Sequence, residues 1–317
     1  MADKPSRALV IFGDGIAPLL LPSHGSLHSF ASQAACGFLA LRVSPPSEAE
    51  GERIVRDLAQ LLDSYDFYVS EDNAEAIADS NCPTLSERFM GLKAAMVTSC
   101  PSIKSFARKL GFSILQESEL IKPDSSTATL HSVSNYSDIV SKLLHHLGFS
   151  GKDILEKYDF DLLFLHIMTH EKPANEKENL VNGLNDLVGG VMEKAHPGSI
   201  IGSRLHLSIV LSYGYVSECE KDCFLHSSSP LIDSNSDLSL LHPCQSYTIK
   251  GGHRLHDIRH HHPMLMAQWQ EGVTRRDKVK AFSFEEFKEN GANLAMLSDH
   301  FLHEIAFKLW KAPKYGA

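Results

Sequence analysis

A chain of 317 residues is long enough for one large α/β domain or two ordinary ones, with a sizeable buried core. Its 43% apolar and 22% charged content matches soluble globular proteins, and a net charge of −9 argues against a general nucleic-acid or anionic-membrane binder, which would need a basic face. No apolar run reaches membrane-spanning length, and the opening Met1-Ala2-Asp3-Lys4-Pro5 lacks the apolar core of a secretion signal. The expected compartment is therefore the cytoplasm, with the nucleus left open, and the six cysteines are expected as reduced thiols. Cys219 and Cys223 are the one near pair, a spacing that suits a metal but lacks the second pair of a structural zinc site.

In chain order, the apolar run Ala8-Leu9-Val10-Ile11-Phe12 breaks into Gly13-Asp14-Gly15. Such runs read as buried parallel strands, and ligands gather at the carboxyl ends of these, so Asp14 is placed where chemistry would occur. The alternative is a turn aspartate bonded to its own backbone. A loop with Pro18, Pro22 and Gly25 and a short helical stretch to Ala35 lead to a second strand, Gly37–Val43, which Pro45 and Pro46 close. Ile54, Leu58, Leu61 and Leu62 recur at helical spacing and predict a helix over Glu52–Asp63 lying on the sheet. Asp66–Ser86 is polar and aperiodic and reads as a connecting excursion.

A βαβ unit follows: strand Lys93–Thr98, helix Ile103–Leu110, and return strand Gly111–Leu115, which implies parallel pairing. Lys122–Ser134 reads as a surface loop and Asp138–Leu147 as a helix. Asp161–Met168 is the clearest strand, opening into Thr169-His170-Glu171-Lys172; an amphipathic helix with Leu180, Leu184, Leu187, Val188 and Val191 comes next. His206–Ser212 is a further buried strand, ending at Tyr213-Gly214, and Ser217–Ser246 reads as an irregular excursion. Met264–Trp269 is the next strand, and Leu297, Phe301, Ile305 and Leu309 predict a last helix.

The chain holds 18 histidines, several clustered at His256 and at His260-His261-His262. Imidazole is the commonest transition-metal ligand, yet consecutive side chains on an extended chain point to opposite faces, so the three cannot all converge on one ion. Exposed loop histidines are the competing reading.

The order of these motifs resembles the alkaline phosphatase superfamily, and within it the archaeal-type cofactor-independent phosphoglycerate mutases. Ala8–Gly15 is similar to the family's first strand with its metal-binding aspartate. Phe89-Met90-Gly91-Leu92-Lys93-Ala94-Ala95-Met96-Val97, running on to Lys109-Leu110-Gly111-Phe112, resembles its Gly-Leu-Lys-Ala-Ala segment. Tyr158–Ile167 resembles the strand leading to its Asp-x-x-Gly-His motif; His262-Pro263-Met264-Leu265-Met266, with Asp277, Phe282-Ser283 and Gly291, resembles its closing strand and tail. The resemblance implies a three-layer, doubly wound, mostly parallel α/β sheet forming a single unit over residues 1–317. It also implies phosphoryl transfer through a phospho-serine between two divalent metals.

Residue by residue, the implied site is depleted. Asp14 matches. Ser47, in Pro45-Pro46-Ser47-Glu48, stands where the family has its nucleophile, and reads equally as a helix cap. In place of Asp-x-x-Gly-His stands His170-Glu171-Lys172-Pro173-Ala174-Asn175, and in place of Ala-Asp-His stands Leu211-Ser212-Tyr213-Gly214, with neither carboxylate nor imidazole. His256 and His260 are the candidates for the final histidine, and His166 is either a ligand or a satisfied core residue. At least three expected ligands are gone, too few to hold two mutually repelling dications. A rearranged site on Asp14, His166, His170, Glu171 and His256 would hold one zinc or manganese. The stretch from Ser47 to Gly91 is too short for the family's cap domain, so the cap is expected to be reduced or absent, and an uncapped active relative is expected to hydrolyse.

Two functions follow from this reading. One is a non-catalytic scaffold that binds a protein partner or a small phosphorylated ligand. The other is a metal-dependent phosphomonoesterase or related phosphotransfer enzyme with an altered site.

Overall fold

The computed structural model describes residues 7–45, 47–72, 83–116, 120, 136–151, 153–170, 172–216, 238, 245–292 and 295–313. Strands in chain order are β1 (Arg7–Asp14), β2 (Ala35–Ala40), β3 (Ala94–Val97), β4 (Ser113–Leu115), β5 (Phe149–Ser150), β6 (Asp153–Ile154), β7 (Leu162–Met168), β8 (Leu205–Leu211), β9 (Ile249–Lys250), β10 (His253–Arg254), β11 (Met264–Trp269) and β12 (Ala295–Leu297). Helices are α1 (Gly25–Ala31), α2 (Glu50–Leu61), α3 (Tyr65–Asp72), α4 (Leu85–Arg88), α5 (Pro101–Lys109), α6 (Tyr136–His146), α7 (Ala174–Lys194), α8 (Ile200–Arg204), α9 (Phe284–Asn290) and α10 (Phe301–Lys308).

Eight strands form one sheet in the order β12-β2-β11-β8-β1-β7-β3-β4. Only β11 runs against its neighbours, antiparallel to both β2 and β8. All eight residues of β1 are buried, as a central parallel strand covered on both faces must be. Its alternation divides the core: Leu9 and Ile11 enter a cluster under α1, α6, α7 and α9, whereas Ala8, Val10 and Phe12 enter a cluster under α2, α5 and α10. Helices on both faces of a mostly parallel sheet make the three layers that the sequence predicts.

On α2 and its C-cap the apolar residues Ile54, Leu58, Leu61 and Leu62 are each within 1% of full burial, and each contributes roughly 1.5–3 kcal/mol of transfer free energy. Burial does not stop at that stripe, because Arg53, Arg56, Asp57 and Gln60 on the other side are buried as well.

Three expectations are corrected. The stretch Asp66–Ser86 is not a bare excursion: α3 occupies its start and packs on α2, with the Tyr68 ring 6.3 Å from that of Phe106 on α5, and α4 begins at its end. Strand β2 stops at Ala40 instead of Val43, because the chain leaves the sheet to pair with 257–259; Val43 N–H donates to the Asp257 carbonyl and Arg42 bridges to Ile258. Leu297 closes β12, parallel to β2, so the last helix begins only at Phe301. The predicted loop 122–134 lies outside the described residues, as does nearly all of 217–246, including Cys219 and Cys223.

Candidate functional site

Strands β1, β7 and β8 end side by side, with Asp14 opposite Met168 and Gly13 opposite Leu211, so the chain immediately beyond each strand meets at one place. The chain turns sharply there. Gly15 and Gly214 both adopt left-handed backbone; a Cβ on Gly214 would lie 3.1 Å from the Gly15 Cα, and a Cβ on Gly15 would run into the Thr169 hydroxyl, so the close turn needs glycine at both positions for different reasons. Thr169, just past β7, donates through both its N–H and its hydroxyl to the Asp14 carbonyl and closes the third side.

Asp14 points to the α2 side of the sheet, and there it meets Arg53. Arg53 Nη1 donates to Asp14 Oδ1 at 3.0 Å and to Asp57 Oδ2 at 2.9 Å. Arg53 Nη2 donates to Asp14 Oδ2 at 2.6 Å and to Glu50 Oε1 at 2.7 Å, and Nε donates to Glu50 Oε2 at 2.9 Å. All five N–H bonds of the guanidinium are therefore spent on carboxylates, in the fork geometry that arginine presents. The helix sets this up, since Glu50, Arg53 and Asp57 lie three and four residues apart and share one face.

Ser212 completes the cage. Its hydroxyl donates to Asp14 Oδ1 at 2.7 Å and accepts from the N–H of Gly15 at 3.0 Å and of Gly214 at 3.1 Å. Burial pushes the Asp14 carboxyl up, but the Arg53 charge and the hydrogen bonds from Arg53 and Ser212 outweigh it, and the group is held below the usual carboxylate range. Asp14, Glu50 and Asp57 in turn hold the Arg53 guanidinium charged despite its burial. Arg56 stands beside the pair, donating to Glu48 Oε1 at 2.6 Å and to Ser44 Oγ at 2.6 Å. The buried Arg259 donates to the carbonyls of His261 and His262, and burial pulls its pKa down to about 10.

The structure brings together some of the sequence candidates and separates others. Asp14 and His170 line one cavity of about 420 Å³, together with Glu50, Thr169, Lys177, Tyr213 and Tyr215; His170 Nδ1 lies 3.8 Å from Glu50 Oε1. His166 faces the same side of the sheet one strand over, its ring 5.4 Å from Phe12 and its Nδ1 2.9 Å from the Thr98 hydroxyl. Burial drives His166 down to about 4, so it is neutral at pH 7, and its Nε2 has no partner among the described residues. Ser47 is exposed in the turn before α2; Ala49, not Ser47, occupies the N-cap. His256 is exposed on the loop after β10, and His260 is turned to the Tyr247 hydroxyl at 3.1 Å. Glu171 lies outside the described residues.

Arg53 and Ser212 are the two site residues that the motif comparison passes over. The signal for Arg53 is present in the sequence: Glu50, Arg53, Asp57 and Gln60 form a second stripe at helical spacing, opposite the apolar one. Ser212 lies within the stretch that stands in place of the family's Ala-Asp-His, one residue before Tyr213, and it serves Asp14 as a hydrogen-bond donor.

This donor set does not fit a pair of divalent metals. Both Asp14 oxygens already accept from Arg53, and a dication about 4 Å from a guanidinium would be repelled by roughly 8 kcal/mol at an effective dielectric constant of about 20. Among the described residues, no group of three or more histidine, cysteine, aspartate or glutamate side chains is placed to hold a metal ion.

No protein-family model matches the chain, and no curated protein matches it in sequence. Among solved structures it is similar over its whole length to the PH0037 protein from Pyrococcus horikoshii, which it also covers completely, at 13% identity and a TM-score of 0.54. It is similar to the lipoteichoic acid synthase LtaP from Listeria monocytogenes over 99% of this chain and 74% of that one, at 10% identity and a TM-score of 0.51. It also aligns with the cofactor-independent phosphoglycerate mutase from Thermoplasma acidophilum over 96% and 99% of the two chains, at 11% identity and a TM-score of 0.47. At such identities the likeness is one of fold alone: a three-layer α/β core around a mostly parallel eight-stranded sheet.

Proposed function

We propose that this chain is a non-catalytic derivative of a phosphate-handling fold, retained as a binding scaffold for a protein or a small phosphorylated ligand. One observation carries the reading: the Arg53 guanidinium occupies both oxygens of Asp14, the carboxylate that the family resemblance assigns to a metal. A tethered cation supplies from within the charge that a bound ion would otherwise bring. The fold itself confers no activity, and the surroundings of Asp14 are those of a structural ion-pair network. Ser47 supports the same reading, since its hydroxyl is exposed and the adjacent carboxylate, Glu48, is turned to Arg56, and a hydroxyl without an activating base is a poor nucleophile.

The competing reading, a metal-dependent phosphomonoesterase, draws on one feature, the shared cavity of Asp14, Glu50 and His170. A single experiment separates the two. Full-length protein purified without a histidine tag is analysed for bound metal, and is then assayed for p-nitrophenyl phosphate hydrolysis with zinc or manganese added. The scaffold reading expects substoichiometric metal and no hydrolysis above the metal-only control. One or two equivalents of tightly bound metal, with hydrolysis abolished by Asp14→Ala, would overturn it in favour of the phosphatase.

A further inference from the structure

A second cavity, of about 690 Å³, adjoins the one beside Asp14, and the two share Pro18, Tyr213 and Tyr215. Both lie within the size range of small-molecule sites, at the carboxyl ends of the central strands where such folds take their ligands. Leu20, Leu21 and Pro22 form one wall of the larger cavity, and Phe282 and Phe284 another. Tyr215 is 66% exposed and Leu21 51%, so two large apolar surfaces stand open to water at its mouth.

Charge distinguishes this trough from an ordinary apolar groove. The chain carries −9 overall, and the cations Arg42, Arg53, Arg56 and Lys250 each hold carboxylates. Lys177, half-buried on the wall of the smaller cavity, and Lys280, exposed on the wall of the larger, place their ammonium groups in no ion pair among the described residues, although the Lys280 backbone N–H donates to Glu286 Oε2 at 2.8 Å. Of the acids on the walls, Asp14 and Glu50 beside Lys177 are already bonded to Arg53, whereas Glu285 on the larger cavity leaves its buried Oε1 without a hydrogen bond among the described residues.

We infer that this trough binds a small aromatic anion, its ring against Tyr213, Tyr215 and Pro18 and its acidic group at Lys177 or Lys280. The inference rests on the scaffold reading, to which it adds a ligand class. Tyrosine offers a rigid apolar face with a polar edge, and an ammonium group shielded from water attracts a carboxylate more strongly than one in bulk solvent.

The test uses the full chain and two probes of equal shape, 2-naphthoate and its neutral analogue 2-naphthamide, titrated by calorimetry at pH 7.5. Saturable one-site binding of naphthoate is expected, with naphthamide at least tenfold weaker. Either Lys177→Glu or Lys280→Glu should lower naphthoate affinity tenfold or more, and so identify the anchoring lysine. Tyr215→Ala, at an exposed position where folding is little affected, should weaken both probes alike. Lack of saturable binding, equal binding of acid and amide, or unchanged affinity in both lysine variants would overturn the proposal. None of these results bears on metal-dependent hydrolysis, which the previous experiment reads separately.

Discussion

Two clusters of charge fasten the α2 side of the sheet, and they are built from the same chemistry at different depths. In the first, Arg53 and Asp14 keep only 3% and 2% of their side-chain surface, and every guanidinium N–H meets a carboxylate. In the second, Lys250 on the β9–β10 hairpin reaches three carboxylates: Asp299 at 2.7 Å, Asp66 at 3.1 Å and Asp63 at 3.2 Å. There Asp299 is fully buried, whereas Asp66 keeps 77% of its side-chain surface and Asp63 33%. What an ion pair is worth depends on the charge left behind when it is broken. A dry partner cannot recover its hydration, and a wet one can. The Asp14 cluster is therefore a closed unit that resists any competing cation, and the Lys250 cluster is a fastening whose outer contact is nearly neutral.

The largest effect should come from Arg53→Ala. It strands Asp14 as a buried carboxylate without a cation and leaves Asp57 only Arg56, and a loss of about 3–5 kcal/mol is expected by denaturant titration. Asp14→Ala should cost less, because Arg53 keeps Glu50 and Asp57. The double variant should show a coupling of about 0.5–3 kcal/mol between the two sites. Equal losses in both single variants with no coupling would mean that the cluster is not the closed unit described here.

His166 sharpens the comparison through pH. Its folded-state pKa of about 4 lies below the ordinary 6.5, so the unfolded chain binds the proton more readily. Neutral His166 thus contributes stability that is fully present above about pH 6.5 and lost progressively as pH falls towards 4. The gap corresponds to about 3 kcal/mol. His166→Gln should flatten the stability profile across that window without changing its course above pH 7. A slope as steep as that of the wild type would assign the acid sensitivity to other groups, with His206, which burial also lowers, as the first to examine.

Ser212→Ala removes a donor from Asp14 and leaves the N–H groups of Gly15 and Gly214 without their acceptor. Hydrogen bonds to a charged group make the expected loss about 1.5–3 kcal/mol, smaller than that of Arg53→Ala because the buried charge stays paired.

These residues also mark where the sequence was legible. The central strands could be read because a strand buried on both faces is a nearly continuous apolar run: Ala8–Phe12 is wholly apolar, Leu162–Ile167 is broken only by His166, and Leu205–Leu211 only by His206 and Ser208. The order of those runs led to the right fold. Strand β12 was missed because three residues, Ala295–Leu297, carry no period of their own, and Leu297 falls into the four-residue spacing of the helix behind it. The Arg53 cage was hidden by the assumption that polar residues on a helix face water. Helix α2 has an apolar stripe that satisfies that rule, and a charged stripe that is buried all the same. Its pairing with Asp14 spans 39 residues and depends on where β1 ends, a relation that no local pattern encodes.

The smallest effect should come from the outermost contact of the second cluster. Asp66→Ala removes a carboxylate that water already screens, while Lys250 keeps Asp299 and Asp63. The expected loss is about 0.2–1 kcal/mol, and it should shrink further in high salt, since exposed pairs are screened within a Debye length of about 3 Å at 1 M. Arg53→Ala should lose almost the same stability at low and high salt, because ions do not reach a pair that is 97% or more removed from solvent. The ratio of the two salt dependences therefore measures the difference in depth between the clusters. Matching salt responses in the two variants would show that both clusters are open to ions, and a cation could then reach Asp14 after all.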